Sequence, residues 1–159
     1  MYCFFVVLTT SLLVSTSGFP TGAPDEACQD LLPSHSGSVV SHNNDTKKYV
    51  IAVTPGLEGQ YYVVLGGSPF KGFVLRVEGG MLASQDGNTQ KMNCPDERLD
   101  AITHTDNSTK SAIVASWKPN KNGNFMFEAT VVKDRTAHVI GISKMFQVED
   151  LASPMDATS

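Results

Sequence analysis

The stretch at residues 66–78 constrains the fold most, because residues that end strands precede a run in which apolar and polar side chains alternate. It reads GGSPFKGFVLRVE. Two flexible glycines and a proline that lacks a backbone donor predict that the preceding strand ends here. Apolar side chains then recur at every second position from Phe73 to Val77, which predicts a half-buried strand. This alternation assigns Phe73, Leu75 and Val77 to a core, and Arg76 and Glu78 to solvent. A glycine inside the strand, Gly72, indicates a bulge or the close approach of another backbone.

Other parts of the chain show the same pattern in shorter runs. Alternating, aromatic or β-branched residues predict strands at residues 38–41, 49–53, 60–65, 99–105, 111–117, 124–133 and 137–148, the last interrupted near Gly141. Turn signals separate these runs every 8–12 residues or so, and no long amphipathic helix is evident. The pattern predicts an all-β fold, an antiparallel β-sandwich of about eight or nine strands.

Two neighbouring strands have clearly predicted faces. The Asn122-Gly123 pair indicates a hairpin that joins residues 111–117 to residues 124–133. In the first strand the predicted core residues are Ile113, Ala115 and Trp117. In the second they are Phe125, Phe127, Ala129 and Val131, with Glu128 and Thr130 facing outward. Core packing is the favoured role of Trp117, and a ligand-stacking platform is the alternative.

The N-terminus is typical of a secretory signal peptide, which we assign to residues 1–17. No charged side chain precedes Asp25, and the apolar run CFFVVLTTSLLV is too short to span a bilayer. Small residues follow it, so we expect cleavage after Ser17 or Gly18. The protein is therefore expected to be secreted and extracellular, with no integral membrane segment. We expect one domain over residues 19–148 and a flexible tail over residues 149–159.

Cysteines and sequons agree with export. Removal of the signal peptide would take away Cys3 and leave Cys28 and Cys94, an even number in an oxidising compartment. We favour an internal disulfide between them, while a free thiol or a bond to a partner chain remains an alternative. Asn44 and Asn107 each begin an Asn-x-Thr sequon in a polar segment, and both are predicted glycosylation sites.

The charge distribution excludes some partners. The net charge is −4, and the longest run of basic residues is Lys47-Lys48. Nucleic acid is therefore not an expected partner, because its phosphates require a concentrated basic face. A local basic patch for lipid A-type or other anionic microbial glycans is predicted at Lys110, Lys118 and Lys121. The alternative, which we favour, is a solvated charged rim.

Catalysis is not expected. The four histidines, His35, His42, His104 and His138, do not fall at a metal-ligand spacing, and no nucleophile elbow or phosphate-binding loop occurs. His104 follows Thr103 and is a candidate base, but a hydrogen bond to the adjoining turn is the favoured role. We therefore predict no enzyme activity, no metal and no cofactor.

Several blocks of sequence resemble the reeler (reelin N-terminal-like) domain family. They are the opening FPTGAPDEACQDLLPSHSG, the FKGFVLRVE of the alternating stretch, the segment AITHTDNSTKSAIVASWKP after Cys94, and GNFMFEATVV. In the third block Thr103-His104, Lys110, Trp117 and Pro119 stand in the family's order. The resemblance covers residues 19–148 and is strongest to short secreted members described as insect-type defence proteins. The Arg-Val-Glu at residues 76–78 departs from the ending found in many members.

The resemblance implies a fold and a function. The implied fold is an immunoglobulin-like β-sandwich, in agreement with the strand pattern. The implied function is innate immunity, in which a monomer binds microbial surface glycans or lipopolysaccharide. An extracellular matrix or adhesion module is the alternative. Other members place the domain before a cytochrome-type membrane reductase, and we expect this chain not to be that enzyme.

Overall fold

The computed structural model describes residues 19–33, 39–41, 45–149 and 151. A short helix, α1, covers Ala27–Asp30 and a 3-10 turn covers Thr46–Lys48. The strands are β1 Val39–Ser41, β2 Tyr49–Pro55, β3 Tyr61–Phe70, β4 Gly72–Glu78, β5 Met81–Ser84, β6 Thr89–Lys91, β7 Leu99–His104, β8 Lys110–Lys118, β9 Gly123–Val132 and β10 Ala137–Val148.

The strands form two facing sheets, which confirms the predicted β-sandwich. The six-stranded sheet has the order β1-β10-β9-β4-β7-β6, and the four-stranded sheet has the order β2-β3-β8-β5. Nine strands pair antiparallel, and the short edge strand β1 pairs parallel with β10. β4 is central in its sheet between β7 and β9, and its residues Phe73, Leu75 and Val77 belong to the core between the sheets.

The core between the sheets contains the residues that alternation assigned to it. Phe73, Leu75 and Val77 of β4 are buried, as are Ile113, Ala115 and Trp117 of β8 and Phe125, Phe127, Ala129 and Val131 of β9. The Trp117 ring packs against Phe125 and Phe127, with ring centroids 4.8 and 5.0 Å apart. Its indole nitrogen donates a hydrogen bond to the Gly79 carbonyl at 3.1 Å. Trp117 is therefore a core residue, as predicted.

One predicted strand end and one predicted hairpin are wrong. The glycines and proline at residues 66–69 do not end a strand, because β3 continues to Phe70 with an irregular register between Gly66 and Phe70. Asn122-Gly123 does not form a hairpin, because β8 and β9 belong to different sheets. The turn there instead carries the chain from one layer to the other, and Gly123 pairs with Val148 of β10. The interruption near Gly141 is confirmed as a register shift between Val139 and Ile142.

Residues 19–33, here called the N-terminal segment, add a partial third layer. They lie on the outer face of the six-stranded sheet, where Ala27, Cys28 and Leu31 form a second buried cluster with Val74, Met92 and Ala101. Thr130 was predicted to face solvent, yet it is 2% exposed because this layer covers it. α1 ends at Leu31 in a left-handed conformation, before Pro33 is reached.

Parts of three predictions lie outside the described residues. These are the predicted signal peptide at residues 1–17, the sequon asparagine Asn44, and most of the predicted tail. Of the tail, only residues 149 and 151 are described, and the Leu151 amide donates to Asn122 Oδ1 at 2.8 Å.

Candidate functional site

The N-terminal segment is held in place by a disulfide and by hydrogen bonds from Arg76. Cys28 and Cys94 form the internal disulfide that the sequence favours, with Cα atoms 5.5 Å apart. The Arg76 guanidinium donates to the Cys28 carbonyl at 2.7 Å and also to the Gln29 carbonyl. The same guanidinium forms a salt bridge to Glu128 at 2.8 Å. Arg76 thus ties α1 to both β4 and β9.

His104 fixes the beginning of this segment. Its Nε2 lies 3.1 Å from the Phe19 carbonyl oxygen, which can only accept, so Nε2 is the donor. Nδ1 then accepts from the Phe73 amide at 3.3 Å. The prediction that His104 bonds the adjoining turn is wrong, because its partner Phe19 is 85 residues away. Because both ring nitrogens bond backbone atoms, His104 has a structural role: it links β7 to β4 and to Phe19.

Gly72 makes room for the His104 ring. A Cβ atom at Gly72 would lie 3.0 Å from the ring's Cε1. The predicted close approach at this glycine is therefore made by a side chain and not by another backbone.

An apolar groove opens between the N-terminal segment and the end of the six-stranded sheet. Its volume is about 720 Å³. The segment forms one wall, β4 and β9 form the floor, and the loop from β9 to β10 forms the opposite rim. The lining residues used below are Phe19, Pro20, Leu32, Val74, Val132 and Lys71, with Arg135 at the rim. We refer to this feature as the groove.

The rim of the groove carries charge of both signs. Lys71 and Arg135 are cationic, and Asp134, which precedes Arg135 in sequence, is anionic. Asp134 Oδ1 accepts from the Thr136 and Ala137 amides at 2.8 and 3.0 Å. The hydrogen bond from the Thr136 hydroxyl, at 2.7 Å, is the main cause that holds the pKa of Asp134 below its ordinary value, and Lys71 adds to the effect. The carboxylate is thus occupied by its own loop, while the two cations face solvent.

The three predicted patch lysines do not form one patch. Lys110 and Lys118 begin and end β8, about 26 Å apart at the rise of a strand. The Lys110 side chain is 3% exposed, and its Nζ donates to the Asp106 carboxylate at 2.9 Å and to the Ser108 carbonyl at 3.0 Å. Lys118 and Lys121 are exposed. Lys110 is therefore a structural cation and not part of a surface patch.

Asn107, a predicted glycosylation site, lies at the groove. It is one of the residues that line the groove, in the loop between β7 and β8. A glycan on this asparagine would therefore begin at the groove's edge. This placement was not visible in the sequence, where Asn107 is 36 residues from Lys71.

Sequence reasoning missed the groove itself. Its cations come from two separate turns, each with a single exposed basic residue that alternation and motif spacing do not mark. The signal that existed was the proline-rich opening at residues 19–33, whose apolar residues exceed what a plain loop requires. No cluster of three or more metal-ligating side chains occurs among the described residues. Within those residues, no helix has the length and apolarity to cross a membrane.

Comparisons with known proteins agree with this architecture. A family model described as the Reeler domain matches residues 26–148. "Putative defense protein 2" of Antheraea mylitta is 30% identical over 148 residues, which span 80% of this chain and 88% of that protein. "Ferric-chelate reductase 1" of Mus musculus is 26% identical over 141 residues. That match spans 80% of this chain but 24% of the reductase, so this chain is similar to about a quarter of that protein.

A solved structure shows the same fold. The reelin-N domain of F-spondin superposes with a TM-score of 0.59 at 21% identity, over 77% of this chain and 99% of that domain. At this identity the likeness establishes the shared β-sandwich alone.

Proposed function

This chain belongs to the reeler domain family, and on that premise we propose that it is a secreted, non-catalytic defence protein that binds surface components of bacteria or fungi. The relatives that match over most of their own length are named as defence proteins, whereas the reductases match over a small part. The disulfide supports export, since such bonds persist in oxidising compartments.

The groove is the observation that carries this proposal. It combines an apolar interior with two solvent-facing cations, Lys71 and Arg135, on a surface held rigid by a disulfide. Microbial surface components present anionic groups, which Lys and Arg recognise well. Binding by contact requires no catalytic group, and His104 is already committed to backbone partners.

The direct test is sedimentation of the purified full-length protein with intact bacteria and with yeast cells. We expect the protein to be recovered with the cells of at least one type, and to be recovered less when Lys71 and Arg135 are both changed to Gln. The matched control changes Lys118 and Lys121 to Gln, which removes the same two charges from exposed positions outside the groove. That control should bind as the unmodified protein does.

Two results would count against the proposal. Absence of recovery with any cell type contradicts microbial binding altogether. An equal loss in both double variants would mean that net charge alone drives the association and that the groove is not the site.

A second candidate function is an adhesion or matrix module, and one surface favours it. Part of the outward face of the four-stranded sheet carries uncharged residues, and Lys118 lies on the same face at the end of β8; the uncharged residues are Val50, Ala52, Thr54, Tyr62, Val64, Ala112 and Val114. Val50 is 59% exposed and Tyr62 is 42% exposed. Uncharged faces with exposed aromatic residues are typical of protein contact surfaces.

The Tyr62→Lys exchange distinguishes the two candidate functions, because they predict different results for binding to an extracellular matrix. If adhesion is the function, Tyr62→Lys should release the protein from an extracellular matrix preparation and leave recovery with microbial cells unaffected. If defence is the function, the same variant should be unchanged in both assays, because Tyr62 lies outside the groove.

A further inference from the structure

The groove has the size and lining of a site for a small apolar ligand. Its volume of about 720 Å³ falls within the range of roughly 300–1,000 Å³ that small-molecule sites occupy. Aliphatic and proline side chains of the N-terminal segment face Val74 and Val132 across it. Leu32 lines this wall and is 45% exposed, although a leucine has no polar group to gain from solvent.

The groove's charged side chains are Lys71, Asp134 and Arg135, and all three are exposed. Lys71 and Arg135 lie on the rim, and among the described residues their side-chain nitrogens take part in no hydrogen bond or salt bridge. Asp134, the neighbouring acid, is hydrogen-bonded by its own loop. A mainly apolar space with two exposed cations at its rim is complementary to a molecule with a hydrocarbon part and an anionic end.

We propose that the groove binds one acyl chain of an acylated, anionic amphiphile from a microbial envelope, with its carboxylate or phosphate against Lys71 and Arg135. This inference rests on the proposed function and names the ligand class that the same site takes. The chain would lie between the N-terminal segment and the floor formed by β4 and β9. The anionic headgroup would remain in solvent at the rim, where desolvation is not required.

Chain length gives the first measurement. The full-length protein is first loaded with a non-covalently bound, dansyl-labelled undecanoate probe. Saturated fatty acids from octanoate to palmitate are then added below their micelle concentrations, and displacement of the probe measures their affinity. Burial of hydrocarbon predicts that affinity rises about fourfold for each added methylene until the groove is filled, and then levels off. Affinity that does not change with chain length would overturn the proposal.

The headgroup gives the second measurement. Purified lipopolysaccharide is compared with the same material after its acyl chains have been removed, so that the phosphates are kept and the hydrocarbon is lost. We expect displacement of the dansyl probe by the acylated form and at least tenfold weaker displacement by the deacylated form. Equal displacement by the two would show that the sugar or phosphate alone binds, and would overturn the acyl-chain assignment.

Paired variants locate the binding. Leu32→Asn places a polar amide in the groove wall, and Leu57→Asn makes the same change at a leucine that is 79% exposed and outside the groove. We expect Leu32→Asn to weaken myristate binding at least tenfold and Leu57→Asn to leave it unchanged. Because both leucines are partly or largely exposed, neither exchange should prevent folding, which circular dichroism verifies. Equal effects of the two would contradict the proposed location.

The remaining outcomes distinguish this inference from the proposed function. Recovery with bacteria without any fatty-acid binding refutes the acyl-chain groove and leaves the defence function in place. Fatty-acid binding without recovery on any microbe supports the chemistry of the groove and contradicts the microbial role. A concentration-dependent dimer that Leu32→Asn abolishes would assign the groove to a second copy of the chain, and would overturn the proposal.

Discussion

Lys110 illustrates how a single side chain can be misassigned from sequence. Its neighbours Asp106 and Ser108 form a tight loop, and the ammonium group occupies the centre of that loop with five oxygen atoms within 3.3 Å. A lysine is rarely so buried unless its charge is paired. The ammonium therefore holds together the loop that follows β7, and the loop in turn places Asn107 at the groove.

Replacement of this ammonium should reduce stability. Lys110→Met keeps the aliphatic stem but leaves the loop carbonyls without a donor, so we expect a loss of about 1–3 kcal/mol in the free energy of unfolding. Lys118→Met, at the exposed end of the same strand, should change it by less than about 0.5 kcal/mol. Urea unfolding of both variants measures the difference. Equal stabilities would show that the Lys110 contacts contribute nothing net.

Ionisation of Asp106, the acidic partner of Lys110, should make the stability of the fold depend on pH in the acidic range. Its pKa is held well below the ordinary value of 3.8, chiefly by the Ser108 hydroxyl and then by Lys110. A lowered folded-state pKa gives stability that is complete above the unfolded-state pKa and is lost as pH falls through the folded-state value. The melting-temperature gap between the wild type and Asp106→Asn should thus be constant near neutral pH and narrow below about pH 4. A gap that is constant down to pH 2 would contradict the assignment.

At the scale of elements, the N-terminal segment is the part that gives this sandwich a site. Without it the outer face of β4 and β9 would be a flat sheet surface with Val74 and Thr130 in solvent. With it, the Thr130 hydroxyl donates to the Leu31 carbonyl at 2.8 Å, and the segment's apolar residues form a wall. The groove therefore exists because the N-terminal segment, which contains no strand, is fixed to the outer face of the six-stranded sheet.

The disulfide should account for much of this fixation. Its two cysteines are 66 residues apart in sequence, and closing a loop of that length is expected to stabilise the fold by about 4 kcal/mol in the chain-entropy model. A Cys28→Ala/Cys94→Ala variant should lose a stability of that order in urea unfolding under oxidising conditions. Wild-type protein under a reductant serves as the control, since it loses the same bond without a change of side-chain volume. A loss below about 1 kcal/mol would mean that the hydrogen bonds of Arg76 and His104 hold the segment unaided.

At the scale of the whole molecule, the sandwich was predictable and the site was not. Alternation in β4, β8 and β9 reports which face is buried, because a strand's side chains alternate strictly between two faces. It does not report which strands share a sheet, so the Asn122-Gly123 turn was misinterpreted as a hairpin. Nor does it show that the N-terminal segment covers the outer face as a partial third layer, which is why Thr130 was assigned to solvent. The groove depends on four segments that are distant in sequence, and a pattern within one segment cannot reveal it.

Export remains a prediction, and it has a direct readout. Expressed from its full sequence in insect cells, the protein should be recovered from the medium with Gly18 or Phe19 as its first residue. Mass spectrometry of the intact protein and of its peptides measures this end. The same spectra show whether Asn44 and Asn107 carry glycans. Retention of residues 1–17 on the secreted protein, or accumulation inside the cells, would contradict the predicted signal peptide.

We propose that this reeler protein contacts microbial surface material through the groove beside its N-terminal segment. Hydrogen–deuterium exchange of the full-length protein, with and without lipopolysaccharide, tests it most directly, because it reports protection along the whole chain at once. We expect added protection in residues 19–33 and in the turns that carry Lys71 and Arg135, with none at Lys118 and Lys121. Protection confined to the turn at residues 118–122, or no protection at any position, would contradict it.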